Sequence, residues 1–323
     1  MSDKILSIGT YKIHNELYPI LAASWKRGYR HVDTAPNYRL GNAHLELRQC
    51  LDTAMAEGII SSPSEINIST KVGFISSAHK DYLIAEGIVN EEETYQSHNL
   101  STKYVEYEME KTVYTFRDLT LDTVFLHNPE SQLHIKSRDA VLNLIKGGFK
   151  CLEAYVHQGK IKGYGIATWS AFEKENELGY FTVQDFLNVA EEIGGRHHHF
   201  RAIQLPINLV HLLPILEAGE KNGPLWEAPH NNLEVHVSSP LFGGEARKVI
   251  STELAKIIHP ELSLAQAALL FARSHPSVSR LLTSPSTLSQ LEETLFLENI
   301  EDLPLGRLLE VANLLREATE KET

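Results

Sequence analysis

The sequence predicts an α/β protein built as one closed (β/α)8 barrel, and three observations predict it. Short β-branched runs alternate with longer helix-like segments eight times along the 323 residues. Strict alternation of that kind implies a parallel sheet, and eight units suit a closed barrel better than an open doubly wound sheet. No Gly-x-Gly-x-x-Gly follows the first strand, so the glycine-rich turn of the open dinucleotide-binding sheet is missing. Composition does not shift along the chain, and 1–323 reads as a single domain.

In chain order the strands are expected at 5–9, 31–33, 66–71, 123–126, 163–167, 202–204, 233–237 and 278–282. Each is a short run, most of them rich in Ile, Val or Leu. Helical spacing of apolar residues places helices near 17–28, 42–57, 103–117, 139–157, 181–194, 208–221, 245–258 and 286–297. Two segments exceed the eight units. Residues 303–320 form a terminal helix, and 74–102 form a long polar loop leaving the C-terminal end of the third strand. Long loops without their own structure are commonly lids or binding loops, so a lid or substrate loop is the preferred reading, with His98 and Tyr95 as substrate contacts.

Bulk composition excludes several classes of function. A formal charge of -12 argues against a basic nucleic-acid surface. No run of 18 or more apolar residues is present to span a membrane. The first residues lack the basic and apolar regions of a secretory signal. Cys50 and Cys151 fall in helical patterns without metal-ligand spacing and read as reduced buried thiols of a cytoplasmic protein.

The chemistry concentrates at the ends of three successive strands. Asp33 ends the second strand, Lys71 ends the third, His127 follows the fourth, and Tyr38 lies in the loop just beyond Asp33. Catalytic groups of such barrels come from the ends of several different strands. Singly, each residue has an ordinary explanation: a cap, a solvated strand end, a hydrogen-bonded core histidine. Together on one rim they form a proton donor, its activating amine, the carboxylate that holds the amine, and an imidazole. That set polarises a carbonyl oxygen for hydride attack.

Three other features point elsewhere. His197-His198-His199 suggests a metal, but it precedes the sixth strand on the rim associated with stability, and a solvated loop is the better reading, with no metal site expected. Glu130 follows a strand while Glu234 begins one, which sets them at opposite ends of the barrel, too far apart for a glycosidase pair. Trp169 and Phe172 follow the fifth strand, where they can line an apolar substrate pocket or pack in the core.

The motifs Gly28-Tyr-Arg-His-Val-Asp33-Thr-Ala-Pro-Asn-Tyr38, Ile68-Ser-Thr-Lys71-Val-Gly73 and Leu121-Asp-Thr-Val-Phe-Leu-His127-Asn-Pro-Glu130 resemble the aldo-keto reductase superfamily. The likeness continues, in order, through Gly159 to Ala167, Ala202 to Asn208, Ser238-Ser-Pro240-Leu-Phe-Gly243 and 287–293. The resemblance implies a (β/α)8 barrel and reversible carbonyl reduction with a nicotinamide cofactor. It makes Asp33, Tyr38, Lys71 and His127 the catalytic tetrad, with Tyr38 protonating the carbonyl oxygen and Lys71 lowering the phenol pKa. It implies cofactor contacts at Thr10, Tyr11, Asp33, Thr168, Gln204, Ser238, Ser239, Pro240, Leu241, Ser284, Ser286 and Gln290. Trp169, His98 and Asn128 become substrate contacts, and the partner is a small-molecule carbonyl compound.

The chain departs from the family pattern in its cofactor half. Ala167-Thr168 stand where Ser-Asn often holds the nicotinamide amide, and Ser238 stands where an aromatic ring often stacks. No Lys or Arg lies in 283–294, where a 2′-phosphate is usually paired. The family default is NADP(H); these residues leave NAD(H) open. They also leave open a second class of function, a barrel acting as a non-redox lyase or cyclase, or as a cofactor-sensing binding subunit. Oligomeric state is not legible in the sequence.

Overall fold

The computed structural model describes residues 6–13, 15–174, 176–244 and 251–320. Eight parallel strands close into a barrel in sequence order: β1 (Leu6–Gly9), β2 (His31–Asp33), β3 (Asn67–Val72), β4 (Leu121–His127), β5 (Ile161–Ala167), β6 (Phe200–Pro206), β7 (Glu234–Ser238) and β8 (Val278–Thr283). The ring is completed by β1 pairing with β8, with Leu6 opposite Leu281. The first expected strand also took in residue 5, which lies outside the described residues.

Helices follow the strands as α1 (Leu17–Lys26), α2 (Ala43–Ala56), α3 (Lys80–Ala85), α4 (Thr102–Thr115), α5 (Arg138–His157), α6 (Val183–Gly194), α7 (Leu213–Gly219) and α8 (Pro224–His230). They continue with α9 (Thr252–Ile258), α10 (Leu264–Arg273), α11 (Leu288–Leu295) and α12 (Leu305–Glu320). Their apolar faces and the outward strand residues form the main core, which includes Trp25, Tyr104, Phe149, Tyr164 and Phe271.

Three expectations change. The helix expected over 208–221 begins at Leu213, because Asn208 turns the chain by accepting from Val210 N and His211 N at 2.9 Å each. Of the helix expected over 245–258, Thr252–Ile258 is helical and 245–250 lie outside the described residues. Helix α8 was not anticipated, and neither was α10. The start of α10 carries a capping box in which Ser263 and Gln266 satisfy each other's backbone N–H groups, a legible signal.

The barrel interior narrows around Phe125. Its ring lies against Ala167 and Ala202 and meets His236 edge-on at 5.4 Å. A Cβ on Gly165 would come within 2.7 Å of that ring and 2.3 Å of Ala202 O, so glycine there is what admits the Phe125 side chain. At the N-terminal rim a charged network joins Arg201 to Glu234 and Lys162 to Asp122 (3.2 Å), and His236 reaches Glu234 at 3.0 Å. Glu234 and Glu130 sit at opposite barrel ends, since Glu234 opens β7 and Glu130 follows β4. His199 also lies on this rim, with Nδ1 2.5 Å from Glu153 Oε1. Among the described residues no cluster of three or more His, Cys, Asp or Glu is arranged for a metal.

Candidate active site

The opposite, C-terminal end of the barrel brings Asp33, Tyr38, Lys71 and His127 together. Asp33 and His127 are the last residues of β2 and β4, and Lys71 is the penultimate residue of β3. Tyr38 lies in the tight loop after β2, which continues through Arg39 and Leu40 with positive φ of 52° and 58°. That loop is tied down because Arg39 pairs with Glu46 and donates to the carbonyls of Ile13 and Asn15.

Lys71 forms a buried ion pair with Asp33 and donates to Thr34 O at 3.2 Å. Its ammonium lies 5.2 Å from the centre of the Tyr38 ring. Burial works against the charged amine, but Asp33 and Tyr38 outweigh it and hold Lys71 above the ordinary lysine value. For Tyr38 the balance falls the other way from the sequence-based expectation. Enclosure raises the phenol pKa by more than Lys71 lowers it, with Asp33 adding to the rise. Tyr38 is therefore a neutral phenol at neutral pH, a proton donor whose conjugate base Lys71 is placed to stabilise.

His127 meets Tyr38 at 6.2 Å and Phe74 at 4.9 Å between ring centres, both edge-on. Burial, with Lys71 and His98 nearby, holds it well below the ordinary histidine value. It is a neutral imidazole with one N–H to give. Tyr11, more than half exposed, tilts over Tyr38 with ring centres 4.8 Å apart and forms an outer wall.

The loop over 74–102 is anchored to this site. It contains the short helix α3, and it returns to pair Ile75 N with Ser97 O (2.7 Å) and Asn99 N with Gly73 O (2.8 Å). Tyr95 stacks on His134 at 4.1 Å, and Tyr104 donates to Phe74 O at 2.9 Å. In this conformation the loop stands as a wall beside the site. His98 lies fully buried behind His127 instead of facing a substrate. Asn128 begins the next loop in the left-handed conformation (φ 47°), its N–H donated to Ala167 O at 2.6 Å. Trp169 is 42% exposed and meets His211 edge-on at 5.2 Å, which keeps it at the mouth rather than in the core.

The residues expected to hold a cofactor fall into two groups. Gln204 reaches into the barrel and donates from Nε2 to Asp33 Oδ2 at 2.9 Å, leaving its amide oxygen for another donor. The Thr168 hydroxyl oxygen already accepts from Ala171 N at 2.7 Å. The following turn is held by Glu130, a buried carboxyl that accepts from Trp169 N (2.8 Å) and Ser170 N (3.1 Å) and is pushed upward by burial. Thr10 is buried and donates to the Thr34 hydroxyl at 2.9 Å. Ser238 ends β7, Ser239 has a positive φ of 48° and gives its carbonyl to Asn208, and Pro240 and Leu241 continue that loop.

At the other end the donors are turned inward. The Ser286 hydroxyl donates to Lys12 O (2.9 Å), Ser286 N donates to Gln290 Oε1 (2.8 Å), and Gln290 N donates to Thr287 Oγ1 (3.2 Å). Ser284 packs against Gly9, where a Cβ would come within 2.8 Å of its hydroxyl. Arg280 is part of β8, with Nη1 donating to Ser279 O at 3.2 Å. The residues present fit a nicotinamide carboxamide at Gln204, whose Nε2 is held by Asp33.

The model of a family described as the aldo/keto reductase family matches residues 6–183. Among solved structures, the fold is similar to a thermostable aldo-keto reductase, Tm1743, in complex with the inhibitor epalrestat. The TM-score is 0.65 at 18% identity, covering 97% of this chain and 95% of that one. None of the curated proteins compared with the chain matches it.

Proposed function

This chain belongs to the aldo/keto reductase family, and from that premise we propose that it is an NAD(P)(H)-dependent oxidoreductase reducing an aldehyde or ketone of a small metabolite. The observation that carries the reading is the buried Lys71 ammonium, held by Asp33 and set 5.2 Å from the Tyr38 ring centre beside a neutral His127. A nicotinamide nucleotide, when bound, supplies the hydride. Gln204, Thr168 and Ser238 are the residues that would hold its nicotinamide end, and the loop 239–241 would run beside it.

The chain's own residues handle the oxygen. The Tyr38 phenol gives its proton to the carbonyl oxygen as negative charge develops there. The phenolate left behind is stabilised by the Lys71 charge, and solvent returns the proton. His127, neutral, donates one hydrogen bond to the same oxygen. Removing a single donor of that kind costs roughly 2.7–4 kcal/mol in other enzymes. Run backward, with an oxidised nicotinamide nucleotide as the hydride acceptor, the Tyr38 phenolate would take the alcohol proton while Lys71 and His127 hold the oxygen.

The inward-turned hydroxyl and N–H of Ser286, with no Lys or Arg in 283–294, support a cofactor site in which the 2′-phosphate contributes little, so NAD(H) is expected to bind about as well as NADP(H). Cys50 and Cys151 are both free and buried, which fits a reducing, cytoplasmic compartment. Among the described residues no helix is long and apolar enough to cross a membrane.

The second reading, acid–base chemistry without hydride transfer, draws on the occupied Thr168 oxygen and on Ser238 in place of a stacking ring. Titration with NADH and NADPH separately, followed by quenching of tryptophan fluorescence, decides between them. Binding of either, with oxidation of the reduced nucleotide upon adding aldehydes or ketones, supports the reductase. No binding at millimolar concentration removes the redox reading and leaves the second.

A further inference from the structure

We propose that His98 and Gln132 form a positioning relay that sets the place of His127 through its backbone carbonyl. The inference rests on the reading of His127 as the donor to the carbonyl oxygen. His98 is fully buried, and each of its ring nitrogens has a partner. Nε2 lies 2.6 Å from His127 O, and Nδ1 lies 2.9 Å from Gln132 Nε2. The same Gln132 nitrogen lies 2.9 Å from the His98 carbonyl.

These three contacts have one consistent assignment of protons. A backbone carbonyl only accepts, so the end of Gln132 facing His98 O is the NH2. That NH2 only donates, so Nδ1 of His98 is the acceptor and carries no proton. The ring proton of neutral His98 is then on Nε2, which donates to the His127 carbonyl. Reversing the Gln132 amide would set its oxygen against the His98 carbonyl oxygen. His98 thus registers its own tautomer, because its carbonyl orients the amide that fixes its ring. Burial holds the imidazole down to about 4, so the arrangement persists at neutral pH.

The relay acts where the sheet runs out. The last register pair between β3 and β4 is Val72 with Leu126, so the His127 carbonyl lies beyond the ladder. Gly73 makes room for the imidazole: a Cβ there would stand 2.7 Å from His127 O and 3.1 Å from His98 Nε2. Among the described residues no group hydrogen bonds His127 Nδ1. With no such bond at Nδ1, the ring is aimed by its backbone and by its packing against Phe74 and Tyr38.

The test combines histidine-selective 15N NMR with kinetics of His98→Leu, His98→Gln and Gln132→Leu in the full chain. Glutamine can place an amide N–H near the position of Nε2. His98 is expected as the Nε2–H tautomer, with the His127 ring resonances moving in His98→Leu and returning toward wild type in His98→Gln. For carbonyl reduction, kcat should fall on the order of 10²-fold in His98→Leu, the scale of an ångström-sized misplacement, with nucleotide affinity unchanged. His98→Gln should recover most of it, and Gln132→Leu should show mixed tautomers with an intermediate kcat. An Nδ1–H tautomer in the wild type overturns the relay, as does wild-type kcat in His98→Leu. Equal kcat losses in His98→Leu and His98→Gln, accompanied by lost nucleotide binding, overturn it too, leaving only a structural role. If His98→Leu does not fold, the other two variants and the wild-type tautomer decide. A wild type that reduces no carbonyl compound refutes the functional reading alone, because the tautomer and His127 resonances still report on the relay.

Discussion

Gln204 and Asp33 lie on opposite sides of the barrel, on β6 and β2, and are joined across its mouth by a 2.9 Å hydrogen bond. With Lys71 on the other carboxylate oxygen, both oxygens of Asp33 are engaged. The bond ties the proton-donating side of the site to the side expected to hold the nicotinamide. Replacing Gln204 with Leu should therefore weaken nucleotide binding and lower kcat together. Isothermal titration and steady-state kinetics on one preparation check this. An unchanged kcat with weakened binding would restrict Gln204 to cofactor contact.

Tyr38→Phe removes one oxygen and retains the ring against Tyr11. Turnover should fall by ~10²–10⁴-fold, the usual contribution of a positioned proton donor, while nucleotide affinity stays within error. Full turnover in a homogeneous Tyr38→Phe sample would falsify the assignment.

Asp33→Asn retains the shape and removes the charge that holds Lys71. The amine loses its ion pair and, with burial opposed by Tyr38 without Asp33, its pKa should fall. A less charged Lys71 stabilises the Tyr38 phenolate less, so kcat should drop and its dependence on pH should move. A pH–rate profile superimposable on wild type would show that Asp33 does not govern Lys71.

Gly73→Ala adds a methyl group that meets His127 O at 2.7 Å. The carbonyl or the His98 ring must give way. Activity should fall more than the melting temperature, because the displacement is local to the rim. Differential scanning fluorimetry alongside kcat separates the two effects.

Stability should decline as the pH drops below about 6.5. Burial holds His44 down to about 3 and His98 and His275 down to about 4, so all three are neutral in the fold. The unfolded chain takes up those protons near pH ~6.5, so it binds more protons than the native state and stability rises with pH. The contribution is fully present above about 6.5 and is lost toward pH 4. A second loss should follow between about 4.5 and 2 from Glu234, where burial is outweighed by His236 and Arg201 and the carboxyl sits at about 2. Melting temperatures from pH 8 to 4 test the first step, and His44→Phe should flatten part of it.

The sequence by itself determined the barrel and the four rim residues. Strand–helix alternation is local periodicity, and a residue at a strand's end is at the rim whatever the packing. It also held signals that periodicity obscured: α10 was announced by its Ser263–Gln266 cap rather than by its position in the count. Tertiary structure alone decided the rest. The net rise of the Tyr38 pKa depends on enclosure competing with Lys71, and enclosure is not a property of any segment. The place of His98 depends on residues 29 and 34 positions along the chain meeting it in the fold. No pattern within the 74–102 loop distinguishes a histidine that faces substrate from one that holds a neighbouring carbonyl, because that difference lies in which strand end the loop returns to.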